Sequence, residues 1–261
     1  MRTMKRKNAA LLMAVLMVVM IPIFTAHAQD EGKVDAGTTV LLVRHGETDW
    51  NALGYLQGWA DTTLNAVGLS EMEELGASWT EKVGMSVDVI YSSPLNRTKQ
   101  SAEILAKHLS IHPFEIRFEP DLREFSIGIL TGVPNSELKA NPEFLNIYKN
   151  WSANTDYTQP SGQSAMLTDY TKHYLEGREF PGESLNTCRN RVWSAMERIV
   201  SENEGKTILV STHGGVIGMI LCVVTDTPIE KHNKLVPSNA SVTQLRFDDK
   251  GSVTWVDAPK E

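Results

Sequence analysis

The chain has 261 residues, enough for one large domain or two small ones with a core that needs no disulfide or metal to hold it. Its 25 Lys and Arg are outnumbered by 32 Asp and Glu. Such a surface excludes nucleic acid and anionic membrane as general partners, since both call for a basic stripe. An anionic substrate must instead be met by a local cluster of cations.

Residues 1–28 differ from everything after them. Arg2, Lys5, Arg6 and Lys7 form a basic start, residues 9–24 are almost unbroken apolar sequence, and Ala26-His27-Ala28 supplies a small-residue cleavage pattern. These are the three parts of a secretory signal peptide. They predict an exported mature chain, periplasmic or secreted, that begins at Gln29 and keeps no stable membrane association after cleavage. An uncleaved anchor is the rival reading, and Pro22 and the small-residue exit argue against it. Without the leader the balance is 21 Lys and Arg against 32 Asp and Glu, a net charge of −11. Cys188 and Cys222 lack metal-type spacing. They admit one disulfide in an oxidising compartment or two buried thiols on separate helices, and the second is the preferred reading.

After a polar lead-in, the apolar run 40–43 breaks into Arg44, His45 and Gly46, which reads as a buried strand that ends abruptly. A loop rich in Gly, Asp, Asn and Thr follows, through Gly68. Ser70-Glu71-Met72-Glu73 then reads as a capping box that opens a helix to about residue 83. Residues 87–91 form a second buried strand, ended by Ser92-Ser93-Pro94, and Ala102, Leu105, Ala106 and Leu109 recur at helical spacing behind it. Alternation over 114–118 predicts a third strand, with Arg123-Glu124 just past it. Residues 126–180 hold helical pieces at 136–151 and 165–175 among Pro, Gly, Ser and Asn, the pattern of an insertion lying over a core as a lid. A long helix over 184–202, a strand over 207–210, an apolar helix through Val224 and a hairpin of 241–247 with 252–256 complete the chain. Strands alternating with helices predict an α/β fold: a three-layer α/β/α sandwich with a mostly parallel central sheet and a helical lid insertion, one domain over 29–261.

Four polar breaks follow predicted strands: Arg44-His45-Gly46, Ser92-Ser93-Pro94 with Arg97, Arg123-Glu124, and His213-Gly214-Gly215. Strand ends of a parallel sheet share one edge, so these residues are expected to converge there. Each has a bland reading as a solvated polar group, but four at equivalent positions point to one pocket. The set suits phosphoryl transfer, whose main requirement is fixed cations around the equatorial oxygens. Arg44 and Arg97 are suited to clamp those oxygens. Neutral His45 offers a lone pair to phosphorus, Glu124 a proton for the leaving oxygen, and His213 a hydrogen bond from a helix start.

Arg44-His45-Gly46-Glu47-Thr48 with Trp50-Asn51 resembles the signature of the histidine phosphatase superfamily, in its phosphoglycerate-mutase-like branch. The resemblance continues through Leu56-Gln57-Gly58-Trp59-Ala60-Asp61, Leu64-Asn65-Ala66-Val67-Gly68, the stretch 92–102, Leu122-Arg123-Glu124, Pro181-Gly182-Glu183-Ser184 and His213-Gly214-Gly215. It implies His45 as the phosphorylated nucleophile and Glu124 as proton donor, with Arg44, Arg97 and His213 around the phosphate. Asn51, Gln57, Gly58 and Gly214 are implied as further phosphate or substrate contacts, and neither a metal nor a cofactor is expected. The implied partner is a small phosphorylated substrate, and the sequence assigns no oligomeric state. A phosphoglycerate mutase of this type carries an Arg-Arg pair in the insertion, where this chain reads Ile147-Tyr148-Lys149-Asn150-Trp151-Ser152. The acid phosphatase and phytase branch would show His-Asp in place of His213-Gly214. Hydrolysis of phosphate monoesters is therefore the leading expectation, ahead of mutase-type transfer and of a binding module without catalysis.

Overall fold

Apolar strand residues that alternate between two buried faces organise this molecule. The computed structural model describes residues 37–256, so the leader read from residues 1–28 lies outside the described residues. One sheet contains β1 (Thr38–Arg44), β2 (Val89–Ser92), β3 (Arg117–Phe118), β4 (Thr207–Thr212), β5 (Val242–Phe247) and β6 (Val253–Trp255), in the order β3-β2-β4-β1-β5-β6. The pairs β1–β4, β2–β4 and β2–β3 are parallel, whereas β5 runs antiparallel to both β1 and β6. The expected parallel centre and closing hairpin are both present.

The helices are α1 (Asp49–Ala52), α2 (Ala66–Ala77), α3 (Trp79–Lys82), α4 (Asn96–His108), α5 (Asn135–Ala140), α6 (Pro142–Ala153), α7 (Lys172–Leu175), α8 (Leu185–Ser201) and α9 (Gly214–Val224). Successive side chains of a strand point to opposite faces, and here each face is covered. Val40, Leu42, Ile208 and Val210 pack with Cys188, Val192, Met196, Ile217 and Ile220 of α8 and α9. Leu41, Val43, Ile90 and Leu209 pack with Met72, Leu75, Trp79, Ala102 and Leu105 of α2, α3 and α4. Helices on both faces of a mostly parallel sheet make the three-layer α/β/α sandwich. Cys188 and Cys222 are buried free thiols on α8 and α9.

Three local expectations are corrected. The helix assigned to start at Ser70 starts at Ala66, because the Asn65 side chain already caps it by accepting from Gly68 N–H at 2.8 Å. It also breaks at Ser78, between α2 and α3. The third strand is only two residues long. His112 caps a 3₁₀ turn over Pro113–Glu115 instead, and Phe114, an apolar position of that alternation, is 95% exposed. After α9 a further 3₁₀ segment, Ile229–Leu235, crosses beside that helix, where no element was expected.

Segment 126–180 carries α5, α6 and α7 and a small core of its own, with Leu130, Val133, Leu138, Phe144 and Ile147 in mutual contact. It is joined to the rest by isolated bridges, Tyr55 to Pro134 and Ile127 to Gly182, and by Trp151 of α6, which packs in the core under α8 and α9 and donates from Nε1 to Glu183 O at 3.0 Å. The expected helical insertion is therefore present, although its helices run over 135–140, 142–153 and 172–175 rather than 136–151 and 165–175.

Candidate active site

Strands β2, β4 and β1 are neighbours in register, so the residues that follow them emerge side by side. Arg44 pairs with Thr212 across the sheet, and the next step of the ladder joins His45 N–H to Thr212 O at 3.1 Å. His213 follows immediately. Ser93 N–H bonds Ser211 O at 3.0 Å, which brings the end of β2 alongside. Arg97 enters from the first turn of α4, and Glu124 from the loop after β3.

A cavity of about 230 Å³ opens over these ends. Arg44, His45, Arg97 and Glu124 line it, as do Asn51, Gln57 and Gly58. His213 and Gly214 lie one layer deeper. The His213 ring sits edge-on to that of His45, centroids 5.4 Å apart, and its Nε2 meets Ser93 Oγ at 2.8 Å. Gly214 makes room rather than contact: a Cβ there would stand 3.0 Å from Arg44 Nε. Eight of the nine residues singled out by sequence thus surround or directly support the cavity, and Gly214 serves it through Arg44.

His45 is 3% exposed, and its Nδ1 lies 2.7 Å from Gly46 O. A carbonyl can only accept, so Nδ1 carries the proton and Nε2 keeps a lone pair. Burial holds the imidazole well below its ordinary pKa, and the nearby Arg97 and Arg44 guanidinium groups lower it further. The ring is therefore neutral at neutral pH. Its carbonyl oxygen accepts from Asn239 Nδ2 at 2.9 Å and Ala240 N–H at 3.3 Å, which fixes the backbone behind it.

The two arginines are held from behind. Arg97, 1% exposed, donates from Nη1 to Ala60 O at 2.8 Å and from Nη2 to Gly58 O at 2.9 Å. Arg44 Nη1 donates to Pro237 O at 2.6 Å. Burial lowers both guanidinium pKa values, that of Arg97 to about 10, and Glu124 opposes the shift in each. Both groups remain cationic at neutral pH. Arg44 Nε, Arg97 Nε and His213 Nδ1 are buried with no hydrogen-bond partner among the described residues. Buried donors left unpaired are costly, and two of these belong to arginines that line the cavity with the third directly behind, an arrangement suited to an oxyanion. Burial also keeps His213 well below its ordinary pKa, with Arg97 contributing. Its Nδ1 can donate when Ser93 Oγ–H donates to Nε2.

Glu124 is oriented by backbone donors: Oε2 accepts from Gly215 N–H at 3.1 Å and Oε1 from Phe125 N–H at 3.0 Å. A Cβ at position 215 would meet Oε1, so the second glycine of His213-Gly214-Gly215 admits the carboxyl. Asn51 turns its amide oxygen to Thr48, accepting from its N–H at 3.2 Å and its hydroxyl at 2.9 Å, and Gln57 Oε1 accepts from Thr62 Oγ1 at 2.6 Å. Each is left with an amide NH₂ to offer elsewhere.

Two supporting residues escaped the sequence reading. Arg191 of α8 donates from Nη1 to Asp121 O at 2.7 Å and Arg123 O at 2.8 Å, and from Nη2 to Glu124 O at 2.8 Å. It also pairs with both Glu183 carboxylate oxygens, at 3.0 and 2.6 Å. One guanidinium thus clamps the loop that presents Glu124. Glu183 Oε1 in turn accepts from Ser126 N–H at 2.9 Å, at the start of the insertion. The signal lay in α8: Cys188, Arg191 and Ala195 are spaced i, i+3, i+7, which puts a charge on the helix's apolar stripe. Trp59 contributes as well, donating from Nε1 to Glu124 O at 2.6 Å under the Arg123 guanidinium, which lies 3.8 Å over its ring.

Comparison with known proteins bears on the family and the fold. Residues 40–257 match the model of the histidine phosphatase superfamily, branch 1. A metal-independent phosphoserine phosphatase of Arabidopsis thaliana is 31% identical over 233 residues, covering 87% of this chain and 85% of that protein. A probable phosphoglycerate mutase, GpmB, of Salmonella paratyphi A is 27% identical over 232 residues, covering 84% and 95%. The solved structure of a phosphoserine phosphatase from Entamoeba histolytica in complex with 3-phosphoglyceric acid shares the fold, with a TM-score of 0.64 at 23% identity over 86% of this chain and 98% of that one. The chain belongs to the histidine phosphatase superfamily, in its phosphoglycerate-mutase-like branch.

Proposed function

We propose that this protein is a phosphatase that hydrolyses small phosphate monoesters through a phosphohistidine formed on His45. The observation that carries the reading is the state of His45: a neutral ring between two arginines, its Nδ1 proton engaged by Gly46 O and its Nε2 lone pair left to attack.

Arg44 and Arg97 hold the phosphoryl oxygens and draw off negative charge as it spreads in the transition state, with His213 Nδ1 as a further donor. His45 Nε2 bonds to phosphorus while the bond to the ester oxygen breaks. Glu124, in its acid form, gives that oxygen a proton, and the alcohol leaves. The resulting carboxylate then takes a proton from water as the water oxygen attacks phosphorus. The nitrogen–phosphorus bond breaks, its electron pair returns to Nε2, and inorganic phosphate is released. The leader-like sequence of residues 1–28 supports an exported setting for this activity.

The test is the trapping of phosphorylated protein. Brief exposure to ³²P-labelled phenyl phosphate is expected to leave an acid-labile, base-stable label on His45. His45→Ala is expected to carry no label and to lose at least about a thousandfold in kcat with unchanged thermal unfolding. Turnover near the wild-type rate in that variant would overturn the mechanism, and binding of phosphate without turnover in the wild type would favour a binding module.

A further inference from the structure

The phosphate end of the cavity is rich in charge, whereas the other end holds none. Ile127, Leu130, Tyr148, Trp151 and Gln159 line it from the insertion, and His232 and Val236 from the segment after α9. Lys231 and Lys234, which flank His232 in the chain, are exposed. Lys149, next to Tyr148, is exposed, and Arg123 is stacked on Trp59. His232 donates from Nδ1 to Ile229 O at 2.9 Å, so its Nε2 is an acceptor, and its ring rests against Phe125 and Trp151 at 5.0 and 5.8 Å. Burial keeps that ring neutral. Among the described lining residues the only cations are thus Arg44 and Arg97, both at the phosphate end.

Gln159 stands out in this neutral wall. It is 1% exposed, and neither its amide oxygen nor its amide nitrogen has a hydrogen-bond partner among the described residues. A buried primary amide with both ends unpaired is costly to fold around, and most buried polar groups are satisfied. Its backbone is tightly placed, since a Cβ on Gly182 would run into Gln159 O. Gln159 lines the cavity.

Resting on the phosphatase reading, we propose that the alcohol part of the substrate is uncharged and partly aromatic or apolar, and that Gln159 selects it by hydrogen-bonding a polar group on it. A carboxylate in that position would be desolvated against aromatic rings with no cation to pair with, whereas an amide or hydroxyl would satisfy Gln159 and the free acceptor of His232. The cavity volume, below the roughly 300–1,000 Å³ of drug-sized sites, suits a small alcohol part.

Two esters of matched shape test this: 4-carbamoylphenyl phosphate and 4-carboxyphenyl phosphate, with phenyl phosphate as reference. The wild-type chain is expected to favour the carbamoyl ester over the carboxy ester by at least about tenfold in kcat/KM. Gln159→Leu should lower the ratio of carbamoyl to phenyl ester about tenfold. Gln159→Lys should shift preference toward the carboxy ester, an outcome that a purely structural role would not produce. A wild-type preference for the carboxy ester, or ratios unmoved in both folded variants, would overturn the inference and leave the phosphatase reading standing. Hydrolysis of none of the three esters would overturn both.

Discussion

The sheet edge and the insertion contribute to one cavity by different means. At the sheet edge, Arg44, His45 and His213 extend strands buried on both faces, and backbone hydrogen bonds in register fix them. The insertion has a small core of five buried residues and is tied to the body by isolated bridges, by Trp151 in the main core and by Leu175 against Trp50. Charge and unpaired donors gather at the first region, and aromatic rings and one unpaired amide at the second. The difference teaches a division of labour. On the proposed reading, the phosphoryl group, the same in every monoester, is met by a rigid receptor, and the varying alcohol by a wall drawn from the insertion and the segment after α9.

The largest stability effect is expected where the two regions share a support. Arg191 holds the Glu124 loop, and its partner Glu183 also holds Ser126. With both side chains mostly buried, Arg191→Met leaves Glu183 uncompensated and is expected to cost about 3–5 kcal/mol in urea unfolding, with kcat lowered as well. A loss of activity with full stability would instead assign Arg191 to the sheet-edge chemistry alone.

Acid should act through buried rings, two at the sheet edge and one in the wall, rather than through the insertion's apolar core. His45, His213 and His232 are all held below their ordinary value of 6.5, burial being the largest cause in each. The unfolded chain therefore binds protons below about pH 6.5 that the folded chain refuses, so stability is present above that pH and is lost as pH falls below it. The expected slope is about 1.4 kcal/mol per pH unit for each group, until its folded pKa is reached. Thermal unfolding at pH 7.5 and 5.5 measures this, and an unchanged Tm would mean that these rings are not held neutral. The smallest effect should come from the wall. Tyr148→Ala is expected to raise KM for phenyl phosphate about tenfold with kcat changed less than about threefold, and a loss confined to kcat would erase the proposed division.

Legibility in the sequence follows the same line. Arg44, His45, Glu124 and His213 could be read because apolar strands end abruptly in polar residues, and the parallel sheet brings such ends together. Gly68 misled, since it looked like the close of a loop. It lies within α2, where a Cβ would collide with Glu47 O, so it marks the close approach of helix and loop rather than a turn. Phe114 alternated correctly for a strand, yet Pro113 and the His112 cap produced a 3₁₀ turn. Arg191 and Gln159 were missed for a different reason. Their importance arises from what lies across the fold, a run of carbonyl oxygens in one case and the lack of any partner in the other. The apolar stripe of α8 marks Arg191 as a misplaced charge but not what it holds, and nothing local marks Gln159.

The pairing of β1 has a consequence for the order of assembly. This strand, early in the chain, lies between β4 and β5, and Arg246 reaches Thr39 across 207 residues of sequence at 3.0 Å. Contacts of such long range close slowly, because loop entropy is spent before the pairing returns it. A nascent chain that has emerged only as far as α8 carries His45 with neither the neighbouring strand nor the helix that begins at Gly214. Synthesis must therefore be nearly complete before the molecule can react with any phosphate ester.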